Sequence, residues 1–439
     1  MPDSFNSPPL RHTAELLQAL RNGQEVAIVD LREEADFASG HPLFAANLPL
    51  SKLEIEVLDR IPSRTTPITL YDNGQRYNQR TDTRLTEVAY QRLKALGYVD
   101  VALLAGDLEG WQEAGGEVFA GVNVPNKAFK AWSQYNGQSP VASELFEPES
   151  LNQASSLAKR VGVQSIDLSQ LIQWQADSQR TLYLFDVRTL EEYQAGHLPG
   201  ARHVTGEQLL QQTEHYASVR GARIVLLDDN GQRANIVASW LAQQNWRVFV
   251  LGFDANNANA VSELFTATGN GSVTSAPVPA IESIDGEQLE QWLAEGDTGI
   301  IDLTISANFR NRRIPGAVFT ARSQLPQALA QQPGHKRWVV TCGSGFLARY
   351  AVTEVAGLTG VPAYLLDGGT LKWIAEDRPL EHGDSPYLRN PRDKYLNPEE
   401  NADAGHEAKT GIKAWDDGLV AQLERDNTHG FRQPARGEV

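Results

Sequence analysis

Cys342 is the only thiol in 439 residues, and the residues around it carry the plainest chemical signal in the chain. It ends the apolar run Trp338-Val339-Val340-Thr341 and opens Cys342-Gly343-Ser344-Gly345-Phe346-Leu347-Ala348. A thiolate is an intrinsically strong nucleophile, and its availability is set by the thiol pKa. Two glycines let the backbone curl after Cys342, so that its N–H groups turn inward at the start of a helix near Leu347. Such a loop favours negative charge on sulfur and predicts a depressed pKa. The opposing reading is a small buried hydrophobe, the common fate of a lone cysteine. The strand-end position beside two glycines favours the nucleophile.

A loop of this kind must be held by a strand before it and a helix after it, and the chain repeats that arrangement three times. Three apolar runs end in an acid: Val26 to Asp30, Leu182 to Asp186, and Gly299 to Asp302. The first two continue as Asp-x-Arg, in Asp30-Leu31-Arg32 and Asp186-Val187-Arg188, whereas the third has Thr304 at the arginine position. A second apolar run then ends at Asp72, at Asp229 and at Cys342, 42, 43 and 40 residues after the first acid. Helix-like stretches follow, from Thr81 to Leu96 before Gly97 and from Leu347 to Leu358 before Gly360, each leading to another short apolar strand. Continuously apolar strands alternating with helices predict an α/β fold with parallel sheets flanked by helices. The expected organisation is 1–121, a connector at 122–161, 162–272, 273–382, and a tail at 383–439. The connector reads as polar, with one helix near Leu151 to Arg160. In the tail Ile412, Trp415, Leu419, Val420 and Leu423 share one helical face that predicts docking on a neighbouring domain.

These residues resemble the rhodanese-like sulfurtransferases. The likeness rests on Asp-x-Arg with Glu191-Glu192-Tyr193, on Gly196-His197-Leu198-Pro199-Gly200-Ala201, and on Leu366-Asp367-Gly368-Gly369-Thr370-Leu371-Lys372-Trp373. Gly106 to Trp111 is a weaker echo in the first copy. Val122 to Phe129 and the tail from Trp415 to Asp426 resemble multi-domain members with four tandem repeats, in which a further repeat usually carries the cysteine. Here the connector stands in its place. The resemblance implies three tandem domains, of which only the third transfers sulfur, through a Cys342 persulfide. Gly343, Ser344, Gly345, Phe346, Leu347 and Ala348 would form the substrate loop, with Arg313 and Arg322 as candidate cations for an anionic donor. Arg310 and Arg349 are further candidates. Arg313 also occupies the place of His197. Cys-Gly-Ser-Gly is similar to the loop of mercaptopyruvate sulfurtransferases, a slight preference for that donor over thiosulfate.

Asp72 and Asp229 are read as degenerate site positions, because a carboxylate carries no sulfane sulfur, and both are expected to be solvated turn residues. His41 and His197, before prolines, are read as structural hydrogen-bonders, and the two Asp–Arg pairs as structural. An arginine six residues after the cysteine, which phosphatase chemistry on a related loop requires, is absent; that position is Ala348. One cysteine rules out an internal disulfide or a multi-cysteine metal site, and no metal or organic cofactor is expected. The formal charge of −16 argues against nucleic acid and anionic membrane as partners. No apolar run is long enough to cross a bilayer and no secretory signal is evident, so a reducing cytoplasm is the expected setting. The partners expected are a small sulfur donor and a thiol acceptor, with cyanide as an alternative acceptor. The rival reading is a catalytically silent scaffold or binding module that presents the inactive domains to a protein partner.

Overall fold

Asp30, Asp186 and Asp302 each end the second strand of a five-stranded, all-parallel sheet. The computed structural model describes residues 7–137, 151–252, 263–271, 274–332, 334–385, 391–395 and 418–434. The first sheet lays Leu10–Arg11, Val101–Leu104, Ile68–Tyr71, Ala27–Asp30 and Ala46–Asn47 side by side. The second places Gln164–Ile166, Arg247–Leu251, Arg223–Leu227, Leu182–Asp186 and Arg202–His203 in that order. In the third, Ser283–Ile284, Ala363–Leu366, Arg337–Thr341, Thr298–Asp302 and Val318–Phe319 follow the same plan. Within every unit the spatial order is therefore first, fifth, fourth, second, third along the chain. The inner strands are buried on both faces because helices cover both sides, which is why they read as unbroken apolar runs.

In such a sheet the chain leaves the second and fourth strands toward opposite sides. A crevice opens between their carboxyl ends, where open α/β sheets bind ligands. In the third unit those ends are Asp302 and Thr341, paired directly across the sheet, with Cys342 next in the chain.

Two sequence expectations are corrected. The connector contains a helix, Val124–Tyr135, besides the expected Leu151–Arg160. Pro125 starts it, and Val124, Ala128, Phe129 and Ala131 form its buried face. Phe129 meets Trp240 and Phe431 edge-on, which joins the first unit, the second and the tail. The polar run after Trp132 masked this apolar periodicity. In the first unit, Thr83–Arg84 pairs with Arg76–Asn78 as a small hairpin, and the helix begins only at Leu85.

The tail docks as its pattern predicts. Residues 418–426 are helical, and Leu419, Val420 and Leu423 are buried in the core shared by the first two units. Arg425 pairs with Glu117, and Gln422 donates to the Val118 carbonyl. Ile412 and Trp415 lie outside the described residues. The third unit is tied to the first by ion pairs: Arg322 reaches both Glu54 (2.8 Å) and Glu354 (2.7 Å), and Arg92 pairs with the same two acids.

Candidate active site

Cys342 follows the middle strand of its sheet and is 5% exposed. The backbone N–H groups of Gly345, Leu347 and Ala348 lie close enough to its sulfur to favour the charged form. Gly345, at φ 81°, turns the chain so that this approach is possible, and a single 3-10 turn, Ala348–Tyr350, leads into the helix Val352–Thr359. A second loop holds the first in shape. Thr370 N–H donates to the Cys342 carbonyl (2.9 Å) and Leu371 N–H to that of Gly343 (2.8 Å). Gly369, at φ 63°, packs so closely beneath that a Cβ there would sit 2.3 Å from the Cys342 oxygen. The Asp-Gly-Gly motif is thus a floor for the cysteine loop.

The expected depression of the thiol pKa does not survive the geometry. Burial pushes the Cys342 thiol up, and the nearby Asp302 carboxylate adds to that, against the three amides. Asp302 is itself fully buried, receives Thr304 N–H (2.9 Å) and the more distant Thr370 hydroxyl (3.5 Å), and is raised to about 6 by burial. In the other two units the matching acid is neutralised. Arg32 binds Asp30 through two side-chain nitrogens and gives a third bond to the Gly40 carbonyl. Arg188 repeats this with Asp186 and Gly196. Both pairs are structural, as expected.

Neither arginine predicted to bind substrate reaches the loop. Arg313 is buried against Glu381 (3.2 Å) and the Gly383 carbonyl (2.6 Å), with its guanidinium over Phe309. It takes the place of His41 and His197, each of which stacks on an aromatic ring four residues earlier. Both histidines hydrogen-bond to backbone carbonyls, in line with the structural role read for them. Arg322 is committed to the interface with the first unit. Arg310 pairs with Asp384 at the surface, and Arg349 lies exposed on the turn after the loop. Another arginine, absent from the sequence-based candidates, lines a cleft beside the loop. Arg312 shares this cleft, of about 90 Å³, with Thr304, Asn308, Asn311, Gly343 and Thr370. Only its adjacency to Arg313 marked it in the sequence. Of the predicted loop residues, Ser344 and Phe346 are exposed, and Leu347 is half-buried.

The degenerate positions also need correction. Leu227 pairs with Asp186 as Thr341 pairs with Asp302, so the counterpart of Cys342 in the second unit is Asp228, not Asp229. Asp228 is fully buried and accepts from the N–H groups of Gly231, Arg233 (2.8 Å) and Ala234 (3.2 Å). Asp229 sits outside, paired with Arg233. Asp72 does occupy the equivalent place but is not solvated. It is buried, accepts from Gly74 N–H, Thr86 N–H and the Thr86 hydroxyl, and pairs with Arg84.

The rhodanese-like domain matches three times, over residues 13–114, 167–258 and 285–376, and the chain belongs to that family. The crystal structure of a thiosulfate sulfurtransferase from Pseudomonas aeruginosa superposes with a TM-score of 0.88 at 38% identity. That alignment covers 97% of this chain and 100% of the other, so it includes connector and tail as well as the three sheets. An uncharacterised protein of Synechocystis sp. is 30% identical over 109 residues, 25% of this chain. The match spans 55% of that curated relative, about half its length.

Proposed function

We propose that the chain is a sulfurtransferase in which Cys342 carries the transferred sulfur as a persulfide. The observation that carries this reading is that the chain's one thiol stands at the strand end, in a curled loop that Thr370 N–H and Leu371 N–H hold in shape. In the first half-reaction the Cys342 thiolate attacks the outer sulfur of thiosulfate. A Cys–S bond forms, the sulfur–sulfur bond of the donor breaks, and sulfite leaves with the electron pair. In the second, an acceptor thiolate or cyanide attacks the terminal sulfur and releases the Cys342 thiolate. The amides of Gly345, Leu347 and Ala348 lie near the sulfur, where they favour the thiolate that attacks in the first step and is released in the second, and they need no reorganisation. The likeness to a thiosulfate sulfurtransferase favours thiosulfate over mercaptopyruvate as donor. The first two copies, with buried aspartates in the equivalent place, act as scaffold and as surface for a protein partner. A reducing cytoplasm is the setting in which the free thiol would work.

The test is intact-mass measurement after incubation with thiosulfate. One added sulfur, removed by a thiol and absent in Cys342→Ser, is the expected result. Folded protein that takes up no sulfur from thiosulfate or mercaptopyruvate overturns the proposal. It would then favour the silent-scaffold reading, for which burial of Cys342 beside an unneutralised Asp302 is the motivating observation.

A further inference from the structure

The three units differ in what fills the space between the second strand's end and the cysteine loop. In the first two a guanidinium occupies it, that of Arg32 or Arg188, bonded to the strand-end aspartate and to a glycine carbonyl eight residues on. The third unit keeps the backbone of this arrangement, since Thr304 N–H binds Asp302 as Arg32 N–H binds Asp30, at 2.9 Å in both. Its short side chain leaves room. The cleft of about 90 Å³ opens there, with Thr304 on one wall and the backbone of Gly343 on another. The Thr304 hydroxyl lies 3.9 Å from where a Gly343 Cβ would be, so the cleft abuts the residue next to the nucleophile.

The glycine whose carbonyl accepts from the arginine in the other copies is replaced as well. It precedes His41 and His197, and the residue preceding Arg313 is Arg312. The guanidinium has in effect moved from the inside of the space to its rim. Among the described residues Arg312 makes no ion pair, and it is the only formally charged side chain lining the cleft. Asn308, Asn311, Thr304 and Thr370 add neutral polar groups. Asp302, the carboxylate behind the wall, faces the Thr304 N–H and the Thr370 hydroxyl. A space of this size equals roughly three water molecules, enough for one small oxyanion group.

We propose that this cleft, opened by Thr304 and gated by Arg312, is the subsite for the oxyanion end of the sulfane donor. The assignment of the occupant as a donor rests on the sulfur-transfer reading above; the anion preference of the cleft does not. Arg312 is a specificity residue, and the loss of the buried arginine is a second difference, besides the thiol, between the third copy and the other two.

The test uses the full chain and two alkylating reagents of similar size, anionic iodoacetate and neutral iodoacetamide, with Cys342 as the only target. In Arg312→Gln the ratio of iodoacetate to iodoacetamide rate constants should fall about five- to tenfold, the loss of one charge-assisted contact. The iodoacetamide rate should hold, which shows an intact loop. Arg312→Lys should restore part of the ratio. Thr304→Arg, which refills the cleft beside Asp302, should raise the thiosulfate concentration needed for half-maximal sulfur uptake. A ratio unchanged in Arg312→Gln overturns the anion subsite, even where wild-type protein takes up sulfur. A ratio that falls in protein that takes up no sulfur keeps the anion site and overturns the donor assignment together with the sulfur-transfer reading.

Discussion

Asp228 and Cys342 face the same three amides, those three, five and six residues further along the chain. One loop is filled by a carboxylate that belongs to the protein; the other holds a thiol, which under the proposed function takes up a charged sulfur. The loop is therefore an anion cradle in both units. In Asp228→Ala one buried and two half-buried donors lose their acceptor, and the second unit should be destabilised by about 1–3 kcal/mol. Urea unfolding followed by tryptophan fluorescence measures this, through the nearby Trp240. A loss below about 0.5 kcal/mol would mean that the amides find other partners.

Burial raises the Cys342 thiol, and the charge of Asp302 adds to that rise. Asp302→Asn removes the carboxylate that raises the thiol, so the pH midpoint of Cys342 alkylation should move down. In the wild type that midpoint should lie above the ordinary thiol range. Stopped-flow alkylation across pH 6 to 10 checks both statements, and a midpoint unmoved by the substitution would sever the coupling.

The same carboxyl makes stability depend on pH. Its folded pKa, about 6, lies above the unfolded value of 3.8, so the folded state binds the proton more tightly. The stabilisation is complete below about pH 4 and is lost as pH rises through 6, by about 3 kcal/mol for this group. Thr304→Arg supplies the missing cation and should flatten this dependence. Comparison of urea midpoints at pH 5 and 8 in the two proteins isolates the effect.

Gly369 tolerates no side chain. A Cβ would meet the Cys342 carbonyl at 2.3 Å, and its φ of 63° is itself unfavourable for alanine. Gly369→Ala should cost about 1–3 kcal/mol and slow sulfur uptake, because the loop must lift off its floor. Wild-type uptake kinetics in this variant would show that the floor does not shape the loop.

Arg322 holds the third unit to the first. Arg322→Ala leaves Glu54 and Glu354 with Arg92 alone in a partly buried site and should cost about 1–3 kcal/mol. The alkylation rate of native Cys342 should be unchanged, since Arg322 meets only the Tyr350 carbonyl (3.2 Å) beyond the loop and none of residues 342–348. A slower or faster native rate would return Arg322 to the substrate role that its sequence position first implied.

Much of this was legible because it is local. The strand, the turn glycines and the helix around Cys342 are contiguous, and the apolar runs announce a sheet covered on both faces. The register of the second copy was not legible, because Asp228 and Asp229 both follow Leu227. Only the pairing of Leu227 with Asp186 decides which one faces the cradle. The roles of Arg313 and Arg322 depended on partners as far as 268 residues away, which no local pattern specifies. The thiol pKa failed as an expectation for a related reason. The loop amides were visible in the glycines, but burial and the carboxylate across the sheet arise only on folding.

The bond between Arg322 and Glu54 spans 268 residues. During synthesis the first unit emerges with that acid and Glu33 facing solvent, and their partners, Arg322 and Ser323, follow only after the second unit has been made. The assembled molecule is a closed circuit, not a string of independent beads. A truncated product that stops before residue 322 leaves polar surface on the first unit that the complete chain covers.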